Sequence, residues 1–446
     1  METNTSIYKN LFNSINGLEI IESRYSREQL SKDFFDYSPI LKSVLKNCCA
    51  DLVVRPSSID DVLSVANICQ ENNIPVTIRG LGTGNYGQAV PLNKGIVMQM
   101  NKLDKIEDYD PDTGYVTVQT GCLLSTLNNK LLENGRELRL FPSTWKSASI
   151  GGFISGGSGG IGSLQWGFLR DPGNLIGLNL VTMQNPPRLL SLDETSSEPI
   201  NHAYGTNGII TSLILATANK VNWQVVRIDC NSWFKAFEII QQSIKSSTEI
   251  KLATLFQKEI IDELPIWCGL PAQKHTIFFL ASKSSITTLN KIALKKGGEF
   301  KLLGQEKLSR SGLRELTWNH TTLHMRKKNS NWTYLQMLLP LDNEESFTRS
   351  ISANWGEDIL WHIEGVYQNG SKRLAALPLV KWKNKKSLYD LINECKEQGA
   401  VIFNPHVYTV EDGGLGVIDA DQVNTKLLYD PQGLLNPGKL KGWDLL

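Results

Sequence analysis

Between Asp51 and Arg79 the apolar positions change their period twice. Val53-Val54 is a short apolar run. Ser58 with Asp61 three residues later has the form of a helix capping box, and Val62, Val65, Ala66 and Cys69 then recur at helical spacing along one face. Residues 75–79 return to an extended pattern, so the segment reads strand, helix, strand and delivers the chain into a glycine-rich loop. Further strands are expected at 96–100 and 115–119 and a helix at 125–133. Apolar runs at 175–181 and 209–216 read as strands that close the first half. Residues 141–162 carry no regular period and read as irregular.

Past Val221 the texture changes: glycine thins out, and strand and helix signals alternate. Strands are expected at 224–228, 252–256 and 276–281, with helices at 232–244 and 286–295. A second, similar series follows, with strands at 334–339, 360–366, 374–380 and 401–406 and helices at 344–353 and 386–397. Two such units predict an antiparallel sheet with helices on one face, an α+β layer, although no residue-level repeat is evident.

Composition narrows the class. The chain has 446 residues, 41% apolar and 20% charged, which fits a soluble globular protein of more than one domain. A formal charge of +1 provides no overall field for nucleic acid or an anionic membrane, and neither is expected as a partner. The first residues, Met1-Glu2-Thr3-Asn4, lack the basic and apolar regions of a signal peptide. The longest nearly apolar stretch, from Gly208 to Ala218, falls short of the roughly 20 residues of a membrane span. Seven scattered cysteines (Cys48, Cys49, Cys69, Cys122, Cys230, Cys268 and Cys395) form no Cys-x-x-Cys pair, and a reducing cytoplasm is the expected location.

The candidate chemistry sits in glycine. Arg79-Gly80-Leu81-Gly82-Thr83-Gly84-Asn85-Tyr86-Gly87-Gln88 has four glycines within eight positions directly after a strand. Such a loop can turn several backbone N–H groups towards one anion. No helix start follows at Ala89-Val90-Pro91, which argues against a Rossmann site even though Asp104 stands near the spacing of a ribose-binding acid. No Gly-Lys-Ser/Thr follows either, which excludes a triphosphatase loop. Taken alone, the loop is also compatible with a ligand-free turn. A second segment changes that balance: Pro142-Ser143-Thr144, then Ser149-Ile150-Gly151-Gly152-Phe153-Ile154-Ser155-Gly156-Gly157 and onward to Gly160. Two long glycine loops in one half of the chain point to one extended ligand between them. A third element, Gly205-Thr206-Asn207-Gly208-Ile209-Ile210-Thr211, again sets small residues before a strand.

In this order the pieces resemble the FAD-binding domain of the vanillyl-alcohol oxidase and p-cresol methylhydroxylase superfamily. They are nearest the branch with the glycolate oxidase flavoprotein subunit and the D-lactate dehydrogenases. The tail Tyr429-Asp430-Pro431-Gln432-Gly433-Leu434-Leu435-Asn436-Pro437-Gly438-Lys439 resembles the family's C-terminal return over the cofactor. The resemblance implies two α/β subdomains gripping FAD (48–221), a cap of antiparallel sheet with helices on one face (222–403), a return to the FAD domain (404–446) and a separate N-terminal segment (1–47). It implies that Gly80, Gly82, Thr83, Gly84, Asn85 and Gln88 meet the pyrophosphate, with Arg79 also among the cofactor-binding residues. Pro142, Ser143, Ser149, Gly151, Gly152 and Gly157 would flank the phosphate, ribitol and ring region, with Ile210 near the adenine or ring edge and Asn436 closing the C-terminal side. Some relatives tether the flavin through a histidine in the first loop or a cysteine in the second. Here Asn85 and Tyr86 stand near the former place, and Thr144, Trp145 and Ser147 near the latter, so a non-covalent FAD is expected.

The resemblance implies an FAD-linked oxidase or dehydrogenase that takes a hydride from a small alcohol or hydroxy acid, with an electron acceptor left open. A redox-silent flavin-binding protein and a non-redox flavin-dependent transferase are the alternatives. Such chemistry needs a base for the hydroxyl proton. His406, at the end of an expected strand in Phe403-Asn404-Pro405-His406, is the first candidate, with Tyr408 and Glu411 behind it. His320 and His324, four apart, share a helical face. They are further catalytic candidates; as a pair they read more simply as packed or solvated than as metal ligands, and no metal is expected. His362 and Glu364, two apart, face one side of an expected strand. Where the metal-dependent hydroxy-acid dehydrogenases of the resembling branch carry Glu-His-Gly-x-Gly, this chain has Glu411-Asp412-Gly413-Gly414.

Overall fold

The computed structural model describes residues 4–265, 273–306 and 312–446. Cys268 lies outside the described residues. The first strand–helix–strand unit forms as the periodicity predicts: Leu52–Arg55, the helix Ile59–Glu71 and Val76–Arg79. Ser58 accepts from the Asp61 N–H at 3.0 Å and the Asp61 carboxylate accepts from the Ser58 N–H at 3.1 Å, which completes the capping box. Leu52–Arg55 and Val76–Arg79 both run parallel to Ile96–Gln99, and Glu19–Ile21 adds an antiparallel edge. The C-terminal return completes the other edge: the Val76 N–H donates to Leu434 O at 2.8 Å and the Asn436 N–H to Val76 O at 2.7 Å.

The second layer is antiparallel, ordered Ile106–Asp110, Tyr115–Gln119, Ile209–Asn219, Leu175–Val181 and Leu189–Asp193, with Arg136–Leu138 pairing the far end of the long central strand. Its edge strands Ile106–Asp110 and Leu189–Asp193 are half exposed and lie outside the expected strands: the first is largely polar, and the second sets only Leu190 and Leu192 against the core. Residues 141–162 depart from the expectation of irregular chain. Ser149 caps a short helix, Ile150–Gly156, whose Ile150, Phe153 and Ile154 are buried although glycine interrupts the pattern between them.

The cap is an eight-stranded sheet with a duplicated plan. Gln224–Cys230, helix Trp233–Lys245, Ile250–Phe256, His275–Ala281, helix Ile286–Lys295 and Glu299–Gln305 form one β-α-β-β-α-β unit. Gln336–Leu338, helix Glu344–Trp355, His362–Gln368, Ser371–Ala376, helix Lys385–Glu397 and Val401–Phe403 form the second. The two units meet where Ile250–Phe256 pairs with His362–Gln368, and strand order is mirrored about that seam. The repeat is therefore one of topology, while the residues that fill it differ. The four helices bury Phe237, Ile240, Leu289, Ile351, Leu391 and their neighbours against this sheet. No helix among the described residues is long and apolar enough to cross a membrane.

Candidate functional site

Where the first two layers face the cap, a cavity of about 750 Å³ opens, within the usual range for small-molecule and cofactor sites. One wall is made of the two glycine segments. They approach so closely that a Cβ on Gly80 would stand 2.2 Å from Ser149 Oγ and 3.4 Å from Gly152 Cα, so the contact exists only because both positions lack side chains. Gly82 has φ +67°, where other L-residues are strained. Gln88 ties the loops together, its Nε2 donating to Gly156 O at 2.8 Å. Ser149 Oγ accepts from the Gly152 N–H at 3.4 Å.

Of the residues expected around a dinucleotide, Gly80, Gly82, Thr83, Gly84, Asn85, Gln88, Pro142, Ser143, Ser149, Gly151, Gly152, Gly157 and Ile210 lie on the cavity wall. Arg79 and Asn436 stand behind it. The Asn436 side chain donates to Gln88 O at 2.8 Å and Tyr204 O at 2.7 Å, joining the first loop to the third glycine element. The N-terminal segment, read as separate in the sequence, supplies Asp33, Phe34 and Tyr37 to the same wall. No pattern in 1–47 signals this, because these residues reach the cavity only through the docking of that segment on the loop, where the Phe34 N–H donates to Gly84 O at 2.8 Å.

The opposite wall comes from the cap: Trp318, Asn319, His320, Leu323, Gln336 and Phe403. Trp318 has φ +52° at the entry to helix Asn319–Lys328. Its backbone N–H donates to Glu364 at 2.9 Å, and the same carboxylate oxygen lies 2.8 Å from His362 Nε2. Glu364 and His362 are fully buried and outside the cavity, so they hold the turn that brings His320 to the wall. The hydroxyl of Tyr86, a residue of the first loop, bonds Gln336 Oε1 across the cavity, and Asn85 Nδ2 donates to Tyr334 Oη at 2.7 Å.

The candidate bases separate. His406 is buried outside the cavity with both ring nitrogens engaged: Nδ1 is 2.8 Å from Ser38 Oγ and Nε2 is 3.0 Å from Tyr334 O. A carbonyl only accepts, so Nε2 carries the proton and the Ser38 hydroxyl donates to Nδ1. Burial pushes its pKa down to about 4. Tyr408 packs beside Phe35, Leu45 and Val90 and does not reach the cavity. Glu411 does, but its carboxylate already accepts from the backbone N–H groups of Lys441 and Gly442 at 2.9 and 2.7 Å. His324 turns to Glu315 O at 2.8 Å. His320 lines the cavity, with Nδ1 3.5 Å from Glu315 Oε2, and Glu315 is paired with Lys146 at 2.8 Å. Burial lowers the His320 pKa to about 4, against the opposing pull of Glu315.

A pH dependence of stability follows from His406. Its folded pKa of about 4 lies below the ordinary 6.5, so between those values the unfolded chain binds more protons. Stability should fall as pH drops through that window, by about 1.4 kcal/mol per pH unit from this group. Denaturant melts at several pH values should show His406→Asn with a shallower loss over that interval than the unsubstituted protein.

Comparison with known proteins agrees with this geometry. Residues 50–185 match the family model described as an FAD binding domain. Over 170 residues the chain is 31% identical to a D-lactate dehydrogenase of Anaerostipes hadrus, covering 37% of this chain and 36% of that one. Over 216 residues it is 26% identical to a probable mitochondrial D-2-hydroxyglutarate dehydrogenase of Oryza sativa subsp. indica, covering 46% and 38%. The matched part is thus little more than a third of these relatives' length. A solved alkyldihydroxyacetonephosphate synthase superposes with a TM-score of 0.77 at 15% identity, covering 98% of this chain and 86% of that one, so the whole architecture is shared. The resemblance drawn from the glycine motifs holds: the first half carries an FAD-binding domain, and FAD is its cofactor. The cradle fits that group, because Gly80, Gly82 and Gly84 present backbone alone to the cavity, and an added Cβ at any of them would close on atoms 2.0 to 2.2 Å away and displace the loop.

Proposed function

We propose that this chain is an FAD-linked oxidoreductase that oxidises a small alcohol or hydroxy acid in the space between the glycine cradle and the cap. Supporting this reading is one continuous cavity with the cradle on one side and an uncharged, half-buried imidazole, His320, on the other. FAD, when bound, supplies the hydride acceptor. The residues 80–88 and 149–157 hold its phosphates and ring region, and Ile210 packs beside it. The cap residues exclude water and orient the substrate, with Gln336 and Asn319 offering amide groups and Trp318, Leu323 and Phe403 apolar surface. His320 takes the proton of the substrate hydroxyl, and the Glu315 carboxylate beside Nδ1 stabilises the imidazolium that results. The FAD is held without a covalent link: no cysteine stands among the described lining residues, Asn85 and Tyr86 occupy the loop place of the tethering histidine, and the lining His202 turns Nδ1 to Gly157 O at 2.8 Å. Six described cysteines are free thiols, which suits a reducing compartment.

The test is anaerobic mixing of the purified yellow protein with a panel of primary alcohols and 2-hydroxy acids. Bleaching of the flavin with stoichiometric release of a carbonyl product is expected. Acid precipitation of the same sample should leave the colour in the supernatant. A flavin that stays oxidised across the panel would favour the redox-silent alternative.

A further inference from the structure

Behind the first glycine loop lie two buried cations and a half-buried carboxylate from three distant parts of the chain. Arg79 is 6% exposed, and its guanidinium lies so close under Gly82 that a Cβ there would be 2.0 Å from Nη2 and 2.5 Å from Nη1. Its Nη1 donates to Lys32 O at 2.6 Å, while its Nε has no hydrogen-bond partner among the described residues. Lys439, from the C-terminal return, is fully buried. Its Nζ donates to Gly87 O at 2.6 Å and sits 5.0 Å from the centroid of the Tyr408 ring. Asp33, from the N-terminal segment, accepts from the Phe35 N–H at 3.0 Å and lies on the cavity wall.

The charges do not balance. Asp33 faces both Lys439 and Arg79 and also the phenol of Tyr204, while Lys439 additionally faces the thiol of Cys48. Asp33 Oδ2 has no hydrogen-bond partner among the described residues, so the two cations lie in the field of one carboxylate without pairing it directly, in a region where burial disfavours every charge, and a surplus of this kind is relieved when an anion arrives. The diphosphate of FAD is such an anion, and the loop above these groups is the place for it. We propose that Arg79 and Lys439, opposed by Asp33, form a buried counter-charge beneath the glycine loop that sets the affinity of this protein for the FAD diphosphate. The backbone amides shape the site; the two cations behind them supply its net charge. Lys439 also makes the last residues of the chain part of the cofactor site, so closure of the C-terminal return and FAD binding are coupled.

The proposal rests on the FAD assignment, and the two fail differently. The full-length apoprotein is titrated with FAD, following flavin fluorescence, and folding of each variant is checked by its thermal melt. If the unsubstituted protein binds no FAD, the assignment itself falls. If it binds, Lys439→Met should weaken binding by about tenfold or more, Lys439→Arg should restore most of it, and Asp33→Asn should tighten binding severalfold, because removing the carboxylate enlarges the surplus. Loosened packing alone would weaken binding in both Lys439→Met and Asp33→Asn, so the opposite signs identify the charge effect. Affinity in the unsubstituted protein should also decline as pH rises. Burial raises the Asp33 pKa and lowers that of Lys439, so Asp33 ionises and Lys439 discharges within the accessible range, and each event removes positive charge. Asp33→Asn that binds FAD no better than the unsubstituted protein, or folded Lys439→Met that binds it equally well, overturns the proposal. Should Lys439→Met fail to melt cooperatively, Asp33→Asn decides alone.

Discussion

His320→Gln is expected to slow substrate reduction of the bound flavin by about 10²–10⁴-fold, the usual contribution of a positioned general base, while FAD affinity stays within about twofold of the unsubstituted protein. Glutamine keeps much of the volume and polarity of the side chain but cannot take a proton at working pH. Of the other histidines, His406 has both nitrogens occupied and His324 faces a backbone carbonyl, while His202 lines the cavity from the cradle side with Nδ1 2.8 Å from Gly157 O, so His202→Gln is the control that separates the two cavity histidines. The pH profile provides a second check. Because burial holds His320 near a pKa of about 4, its imidazole is neutral from about pH 5 upward, and the rate should not decline on the acid side until below that value. Stopped-flow reduction by the best substrate from the panel measures both quantities. A rate within threefold of the unsubstituted enzyme removes His320 from the base role.

Gly82→Ala is expected to lower FAD affinity by on the order of a hundredfold, the combined effect of about 1–2 kcal/mol for an L-residue at positive φ and about 1–3 kcal/mol for overpacking. The two causes act at one atom. At φ +67° alanine is strained, and its methyl group would fall 2.0 Å from the Arg79 guanidinium. The loop must then lift or Arg79 must leave Gly82 and Lys32 O, and either change alters the surface presented to the diphosphate. Gly17→Ala is the matched control: it has φ +81° but nothing within 4 Å of the added methyl, so it carries the backbone strain without the collision and lies away from the cavity. Fluorescence titration of both apoproteins should give near-normal FAD binding for Gly17→Ala. Equal affinities in the two variants would show that the closeness of Gly82 to Arg79 is unimportant.

The Gly80–Gln88 and Ser149–Gly157 segments announce themselves because a chain can approach an anion or another backbone so closely only where side chains are missing, and composition records that directly. Ser58 and Asp61 announce a helix start for an equally local reason. The cap's alternating strands and helices were legible as elements, but their mirrored assembly was not, since pairing of Ile250–Phe256 with His362–Gln368 depends on contacts between residues more than a hundred positions apart. The edge strands Ile106–Asp110 and Leu189–Asp193 set only Ile106 and Tyr109, and Leu190 and Leu192, against the core, too few apolar positions in so short a segment to mark a strand.

The candidate site divides along the same line. Gly80, Gly82, Ser149 and Gly152 could be named from the chain alone, because their chemistry is that of the backbone, which local sequence controls. Which histidines meet the cavity could not, since His202, His320 and His406 carry the same ring and only the first two line it. The choice was made by the burial of His406 between Ser38 and Tyr334 and by the Glu364-anchored turn at Trp318. The gathering of Asp33, Arg79 and Lys439 under one loop was likewise invisible, for they stand far apart along the chain and become neighbours only when both termini fold back on the first sheet. Local sequence determined where the backbone can open to a dinucleotide; long-range packing decided which side chains, and how much charge, surround it.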